Sequence, residues 1–149
     1  MKGKKPEERM QDLNRGVIEM ATFANVVKNM AAYGQQAALV RAKFIDGDFQ
    51  SASDVLCKKL GSEQFNLILT AESIYNSASV PQLLSAFDGC IMPGGVVLVA
   101  AKSYYFGVGG GVASFKKAIA DDGRFQCESL TRIDDGKSNV REVMLLHRK

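Results

Sequence analysis

The sequence predicts an α/β fold of three layers built around a mixed sheet. Two apolar runs without polar alternation, at residues 67–70 and 96–101, are typical of parallel strands that are covered on both faces. A segment with helical spacing lies between them. Two further strands, at residues 125–132 and 140–147, close the chain as an antiparallel-looking pair. Helices that alternate with buried strands up to a closing pair indicate this architecture.

The first half of the chain predicts a tail, a helix, a strand and a second helix. Residues 1–10 are basic but diluted by two glutamates, which favours a solvated tail. Apolar residues recur three to four apart in residues 14–32, as they do in a helix. Residues 42–45 are a short strand candidate, followed by the acidic turn at residues 46–48. Residues 52–60 are predicted to form a short helix.

The second half predicts two helices and two turns around its strands. Residues 80–87 carry four apolar side chains at helical spacing, and Pro81 is acceptable in the first turn of that helix. Pro-Gly-Gly at residues 93–95 predicts a turn before the second buried strand. Residues 112–119 repeat the helical spacing, and a turn around residues 134–136 joins the last two strands.

The composition argues against several classes of protein. With 149 residues, 46% of them hydrophobic and 23% charged, the chain suits one globular domain. A net charge of +3 is too small to indicate nucleic-acid binding, and no apolar run has the length of a membrane span. His147 is the only histidine and the three cysteines form no CxxC pair, so no metal site is expected. An intracellular protein, cytoplasmic or nuclear, is expected.

The loop after the first buried strand carries three polar side chains, Glu72, Tyr75 and Asn76. In an open α/β sheet, ligands bind beyond the carboxyl ends of the strands. A carboxylate, a phenol and an amide can orient an amine or imidazole nucleophile, and the carboxylate can balance the positive charge that develops on it. The alternative is that Glu72 caps the next helix and Tyr75 packs on its edge. Spacing alone does not decide between the two.

The loop after the second buried strand, residues 102–111, reads KSYYFGVGGG. Its glycines allow a backbone to approach a ligand closely or to adopt positive φ, and its three aromatic residues can form a wall. A phosphate-binding loop is disfavoured, because GxGxxG would need glycine at Val112 and a P-loop would need Gly-Lys-Ser/Thr after the spacer. The alternative is a flexible loop whose aromatic side chains lie in the core.

Three aspartates, Asp12, Asp46 and Asp48, are the remaining polar candidates. An acidic residue at a strand end can hold ribose hydroxyls. An aspartate beside a glycine, however, more often forms a turn. The pattern alone therefore favours the turn interpretation.

Several segments together carry a family resemblance. They are QDLN at 11–14 with VI at 17–18 and NVVKN at 25–29, FIDGDF at 44–49, LILTAESIYN at 67–76 and AKSYYFGVGGG at 101–111. This pattern closely resembles that of the protein-histidine N-methyltransferases, which are S-adenosylmethionine-dependent enzymes. The resemblance covers about residues 10–149, and its last segment is the longest and most specific. Phe49 replaces the usual Trp, and Ala71 stands where Ser is common.

The resemblance implies a seven-strand, Rossmann-like class I methyltransferase with an antiparallel last strand. The family reaction is methyl transfer from S-adenosylmethionine to a ring nitrogen of a protein histidine, and the best-known substrate is a ribosomal large-subunit protein. By resemblance, the catalytic residues are Glu72, Tyr75 and Asn76. The cofactor-binding residues are Asp12, Asp46, Gly47, Asp48 and Thr70. The substrate-binding residues are Lys102, Tyr104, Tyr105, Phe106, Gly107, Gly109, Gly110 and Gly111.

One family feature has no counterpart in this sequence. The family carries a first strand and an ExGCGxG-type glycine loop ahead of the position of Asp12, whereas MKGKKPEERM stands there here. The expectation is a tail at residues 1–10 and a partial methyltransferase domain at residues 11–149, N-terminally truncated and without the first strand. Three accounts stay open: the C-terminal half of an active enzyme, an inactive interaction module that dimerises through an exposed sheet edge, or a chain whose sheet a partner completes.

Overall fold

The computed structural model of the chain describes residues 8–35, 42–54, 64–136 and 139–149. Contacts divide the chain into two units, Met1–Gly61 and Ser62–Lys149, and each has its own sheet. Most of the tail predicted at residues 1–10 and most of the helix predicted at residues 52–60 lie outside the described residues. The predicted domain limits stay a prediction.

The first unit contains a two-stranded parallel sheet. Strand β1, Glu8–Asp12, pairs with β2, Ala42–Asp46, in a register that sets Asp12 opposite Asp46. The strand at residues 42–45 is thus confirmed, whereas β1 begins inside a segment for which no strand was predicted. Its residues are exposed or half-buried, so a charged strand with weak apolar patterning forms here without the cost of full burial.

The helix predicted at residues 14–32 is confirmed, with a local change of winding. It comprises α1, Arg15–Val17, the π-helical segment Ile18–Thr22, and α2, Phe23–Ala32. Asn14 begins it, because its side-chain oxygen accepts a hydrogen bond of 2.8 Å from the Gly16 backbone N–H. A short helix, α3, Phe49–Ser53, follows β2.

The second unit is a four-stranded mixed sheet with the strand order β3-β4-β6-β5. Its strands are β3, Phe65–Ala71, β4, Ile91–Lys102, β5, Phe125–Ile133, and β6, Arg141–Arg148. Strand β3 is parallel to β4, whereas β6 is antiparallel to both β4 and β5. The predicted mixed sheet with a closing antiparallel pair is therefore confirmed. The prediction that the strand at residues 67–70 is covered on both faces is wrong, because β3 is at the sheet edge and its Leu67 and Leu69 side chains are exposed.

Two helices supply the core of the second unit. Helix α4, Val80–Cys90, contacts β4 and α5, and α5, Val112–Asp122, contacts β5. The core side chains of these helices and of the sheet are fully or nearly fully buried: Leu83, Leu84, Phe87, Phe115, Ile119, Val97, Val99, Met144 and Leu146. Both predicted helices are confirmed. Within the part of the chain that the structure describes, no helix has the length and apolar character needed to cross a membrane.

The turn predicted at residues 93–95 is absorbed into β4. The pairing register jumps there, since Phe65 faces Ile91 while Leu67 faces Val96. Gly94 has φ of 78°, and a Cβ on Gly95 would stand 2.9 Å from the Phe65 carbonyl oxygen. The Pro-Gly-Gly sequence therefore forms an irregularity within the strand, where only glycine fits, instead of a turn between elements.

Candidate active site

Two loops of the second unit meet at the carboxyl ends of β3 and β4. Because these strands are parallel and adjacent, the loops that follow them lie side by side. Between them is an open cleft of about 410 Å³. Its lining residues are Glu72, Tyr75, Lys102, Tyr104, Tyr105, Phe106, Val108 and Asn139. The structure thus brings together members of the predicted catalytic and substrate-binding sets.

Glu72 is the first residue after β3 and has an unusual backbone. Its φ is 55°, and it is the one residue other than glycine with positive φ among the described residues. Its backbone N–H donates to the Ala100 carbonyl at 2.9 Å, which continues the pairing with β4. A left-handed non-glycine residue costs of order 1–3 kcal/mol and is often found at functional sites. Glu72 lines the cleft directly beside this unusual backbone position.

The Glu72 carboxylate pairs with an ammonium group. Its Oε2 lies 3.6 Å from Nζ of Lys102, and both side chains are partly exposed. The interpretation in which Glu72 caps the next helix is not what the structure shows, because Asn76 does so. The Asn76 Oδ1 accepts a hydrogen bond of 3.0 Å from the Ala78 N–H at the start of the 3₁₀ turn Ser77–Ser79.

The three aromatic residues of the second loop have different environments. Tyr105 is 9% exposed, and its hydroxyl accepts a hydrogen bond of 3.1 Å from the Lys102 backbone N–H. Burial raises the pKa of Tyr105, so its hydroxyl stays protonated at neutral pH. Tyr104 and Phe106 are exposed instead. The prediction of an aromatic wall and the alternative of aromatics in the core therefore each describe part of the loop.

Glycines join the two loops by close backbone contact. A Cβ on Gly110 would overlap the carbonyl oxygens of Ile74 and Tyr75, and a Cβ on Gly111 would stand 2.6 Å from that of Ser103. Gly109 forms an isolated antiparallel bridge with Asn76. Gly107 and Gly109 have φ of 79° and 71°. The glycine run thus serves loop-to-loop packing and tight turning.

Two further residues have surroundings that the sequence did not indicate. The hydroxyl of Thr70, predicted to bind cofactor, donates a hydrogen bond of 2.8 Å to the Ser73 hydroxyl. Asn139 lines the cleft although no motif marked it. It reaches the cleft because β6 pairs with β4 up to Arg141 opposite Lys102, and the Ser103 N–H then donates to the Val140 carbonyl at 2.7 Å.

The remaining cofactor candidates lie in the first unit, at the carboxyl end of its sheet. The Gly47 N–H donates to the Asp12 backbone carbonyl at 3.1 Å, and the Asp12 Oδ1 accepts from the Asn14 N–H at 2.8 Å. Asp48 caps α3, Phe49–Ser53, by accepting a hydrogen bond of 2.7 Å from the Ser51 N–H, which lowers the pKa of Asp48. Asp48 therefore has the turn-forming role that its sequence context favours.

A second cleft of about 390 Å³ lies beside Asp46. Besides Asp46 it is lined by Arg15, Ile18, Glu19, Phe23 and Phe44. The rings of Phe23 and Phe44 meet edge to face with centroids 5.4 Å apart. Ile18 and Phe44 lie in segments of the family resemblance, whereas no sequence motif marked the other lining residues, Arg15, Glu19 and Phe23.

Two curated proteins that are similar to this chain share the name histidine protein methyltransferase 1 homolog. The protein from Dictyostelium discoideum is 34% identical over 139 residues, which cover 93% of this chain and 42% of that protein. The protein from Mus musculus is 30% identical over 164 residues, which cover 98% of this chain and 45% of that protein. The chain thus spans less than half the length of these curated relatives. No family model matches the chain. The predicted family resemblance is confirmed.

Solved structures support the fold class. The O-methyltransferase from Bacillus cereus in complex with SAH has a TM-score of 0.66 at 12% identity. The match covers 97% of this chain and 64% of the O-methyltransferase chain. The N-methyltransferase NodS from Bradyrhizobium japonicum WM9 has a TM-score of 0.62 at 11% identity, and the match covers 95% of this chain and 73% of the NodS chain. Identities this low show the fold alone. The predicted Rossmann-like class I methyltransferase fold class is confirmed.

Proposed function

We propose a methyl-transfer function from one premise: this chain is related in sequence to the histidine protein methyltransferases over 93% of its length. The chain carries residues for transfer of a methyl group from S-adenosylmethionine to a ring nitrogen of a protein histidine. The observation that carries the proposal is the cleft after β3 and β4, where a carboxylate lies among aromatic side chains. A ribosomal large-subunit protein as substrate, and a cytoplasmic or nuclear location, rest on the family resemblance alone.

Glu72 is suited to hold the acceptor imidazole. A neutral imidazole has one nitrogen that donates a hydrogen bond and one whose lone pair can react. A carboxylate that accepts the N–H orients the lone pair and stabilises the positive charge that develops on the ring. The Glu72–Lys102 pair is partly exposed at 3.6 Å, so it is weak enough for Glu72 to exchange Lys102 for an acceptor N–H.

Tyr75 and Asn76 support the acceptor in different ways. The Tyr75 ring lies edge to face with Tyr105, at a centroid distance of 6.4 Å, and stays exposed toward the cleft. The Asn76 oxygen is engaged by the Ala78 N–H, so Asn76 contributes to the acceptor site through its amide NH₂ group. Its bridge to Gly109 also holds the two loops in register.

The first unit offers groups that fit the cofactor. S-adenosylmethionine, when bound, supplies the methyl group as an electrophile. Asp12 and Asp46 are register partners at the carboxyl ends of β1 and β2, and carboxylates in that place accept hydrogen bonds from ribose hydroxyls. Phe44 and Phe23, beside Asp46, offer apolar ring surface to a purine. The Gly47 N–H and carbonyl are already bonded to Asp12 and to the Gln11 side chain. One carboxylate oxygen of Asp48 accepts from the Ser51 N–H, so Asp12 and Asp46 are the main candidates.

Titration of the purified chain with S-adenosylmethionine in a calorimeter tests the cofactor assignment. Saturable binding is expected, weakened about tenfold by Asp12→Asn, because a hydrogen bond to a charged group is replaced by one to a neutral amide. The matched control is Glu8→Gln, which removes the same charge at the opposite end of β1 and leaves the affinity unchanged. Absence of binding by a chain with a folded circular dichroism spectrum overturns the assignment.

A second candidate function is supported by the edge of the four-stranded sheet. Strand β3 is an edge strand of that sheet, and its side chains Leu67 and Leu69 are 48% and 67% exposed. An uncharged, apolar edge strand is a ready template for pairing with a strand of another chain. Under this candidate the chain is a catalytically inactive interaction module that forms homodimers through β3.

Sedimentation tests the homodimer. A concentration-dependent dimer is expected for the chain, and Leu69→Lys is expected to make it monomeric, because an edge lysine opposes strand pairing. Leu130→Lys is the matched control, since Leu130 is exposed on β5 at the other edge of the same sheet. A monomer at all concentrations, or equal effects of both lysines, contradicts pairing through β3.

A further inference from the structure

The apex of the second loop presents apolar side chains to solvent. Tyr104 and Phe106 meet edge to face with ring centroids 4.9 Å apart, and Phe106 is 77% exposed. Val108, also exposed, follows them. We call the surface formed by Tyr104, Phe106 and the neighbouring Val108 the aromatic ledge. Clustered exposed apolar side chains at the rim of a cleft mark an interaction site more often than single exposed ones do.

Two backbone hydrogen bonds close the base of the loop that carries the aromatic ledge. The Tyr105 N–H donates to the Gly110 carbonyl at 3.3 Å, and the Val112 N–H donates to the Ser103 carbonyl at 3.2 Å. Between these bonds, Tyr105 is buried under the loop. The ledge is thus held in place before any ligand arrives, which lowers the ordering cost of binding.

The charges of the cleft favour a neutral, apolar occupant. Its two ionic lining residues, Glu72 and Lys102, already pair with each other, so they leave no net charge. The other lining residues are aromatic, aliphatic or amide. A nucleic-acid strand would need several cations along the cleft, and this lining supplies only Lys102.

We propose that the aromatic ledge binds a bulky apolar side chain of a polypeptide, next to the residue that enters the cleft beside Glu72. This inference rests on the proposed function and names its substrate class: protein segments in which an apolar residue flanks the methyl acceptor. Tyr104, Phe106 and Val108 are specificity-determining residues, whereas Glu72 acts on the acceptor itself. Aromatic anchors of this kind commonly dominate the energetics of peptide and protein interfaces.

The test uses two short fluorescein-labelled peptides that contain one histidine and differ only in its neighbours, leucine in one and serine in the other. Binding to the chain is followed by fluorescence anisotropy. The leucine peptide is expected to bind about tenfold more tightly than the serine peptide, and Phe106→Ser is expected to remove most of that preference. Tyr33→Ser is the matched control, since Tyr33 is 79% exposed and lies outside the loop.

The outcomes separate the ledge from the function on which it rests. Equal binding of the two peptides, or a leucine preference that survives in Phe106→Ser, overturns the ledge and leaves the proposed function standing. No binding of either peptide by a folded chain overturns the proposed function, and the ledge with it. Phe106 is mostly exposed, so its serine variant is expected to keep the circular dichroism spectrum of the unchanged chain.

Discussion

Replacing Glu72 with glutamine is expected to lower methyl transfer to histidine by about a hundredfold or more. Glutamine keeps the size and the backbone preferences of the side chain but removes the negative charge. The neutral amide no longer balances the charge that develops on the acceptor ring, although it can still accept a hydrogen bond. Because Glu72 already holds a left-handed backbone with φ of 55°, glutamine adds no strain that glutamate lacks. Transfer of radiolabelled methyl from S-adenosylmethionine to a histidine-containing protein measures the effect.

Glu128→Gln is the matched control for Glu72→Gln. Glu128 is exposed on β5, where its Oε1 lies 4.0 Å from Nε2 of His147. Its replacement removes the same charge at a position outside the cleft lining. Its methyl-transfer rate is expected to stay within about twofold of the unchanged chain. Unchanged turnover in Glu72→Gln would refute the acceptor role of Glu72 and leave the cofactor assignment to its own test.

Replacing Gly110 with alanine is expected to lower the free energy of unfolding by about 3 kcal/mol and to disrupt the cleft. The new Cβ would overlap the carbonyl oxygens of Ile74 and Tyr75. Those are backbone atoms, so they cannot rotate away as a flexible side chain can. The two loops must separate, which carries Tyr75 away from Tyr105. Because the chain has no tryptophan, urea unfolding followed by far-UV circular dichroism measures the loss.

Gly107→Ala distinguishes overlap from backbone strain. Gly107 has φ of 79°, yet a Cβ there would meet nothing within 4 Å. The expected cost is therefore about 1–2 kcal/mol, from the left-handed backbone alone. If both alanine variants lose the same stability, the close contact of Gly110 is not what holds the loops together.

Patterns of apolar residues predicted most of the second unit. The apolar run of β3 predicted the strand but not its environment, since Leu67 and Leu69 are 48% and 67% exposed at the edge of the sheet. The run in β4 and the helical spacing in α4 and α5 reflect burial, which leaves a direct record in the choice of residue. Strand β1 was missed for the same reason. Its residues from Glu8 are not deeply buried in a two-stranded sheet, so burial selected no apolar pattern there. The turn predicted at residues 93–95 was correctly seen as a break, but whether glycine ends a strand or bends it depends on the strand that lies beside it.

The sequence by itself determined the fold class, the family resemblance and the two loops that meet at the cleft, because each depends on residues that are close together in the chain. Only the tertiary structure decided which partners these residues take. In the structure, Glu72 pairs with Lys102 and Asn76 caps the next helical turn. Tyr105 is buried, whereas Phe106 is exposed. The tertiary structure also brought Asn139 to the cleft through the pairing of β4 with β6. Pairings of this kind follow from strand order and register, which residues distant in sequence set jointly and no local pattern encodes.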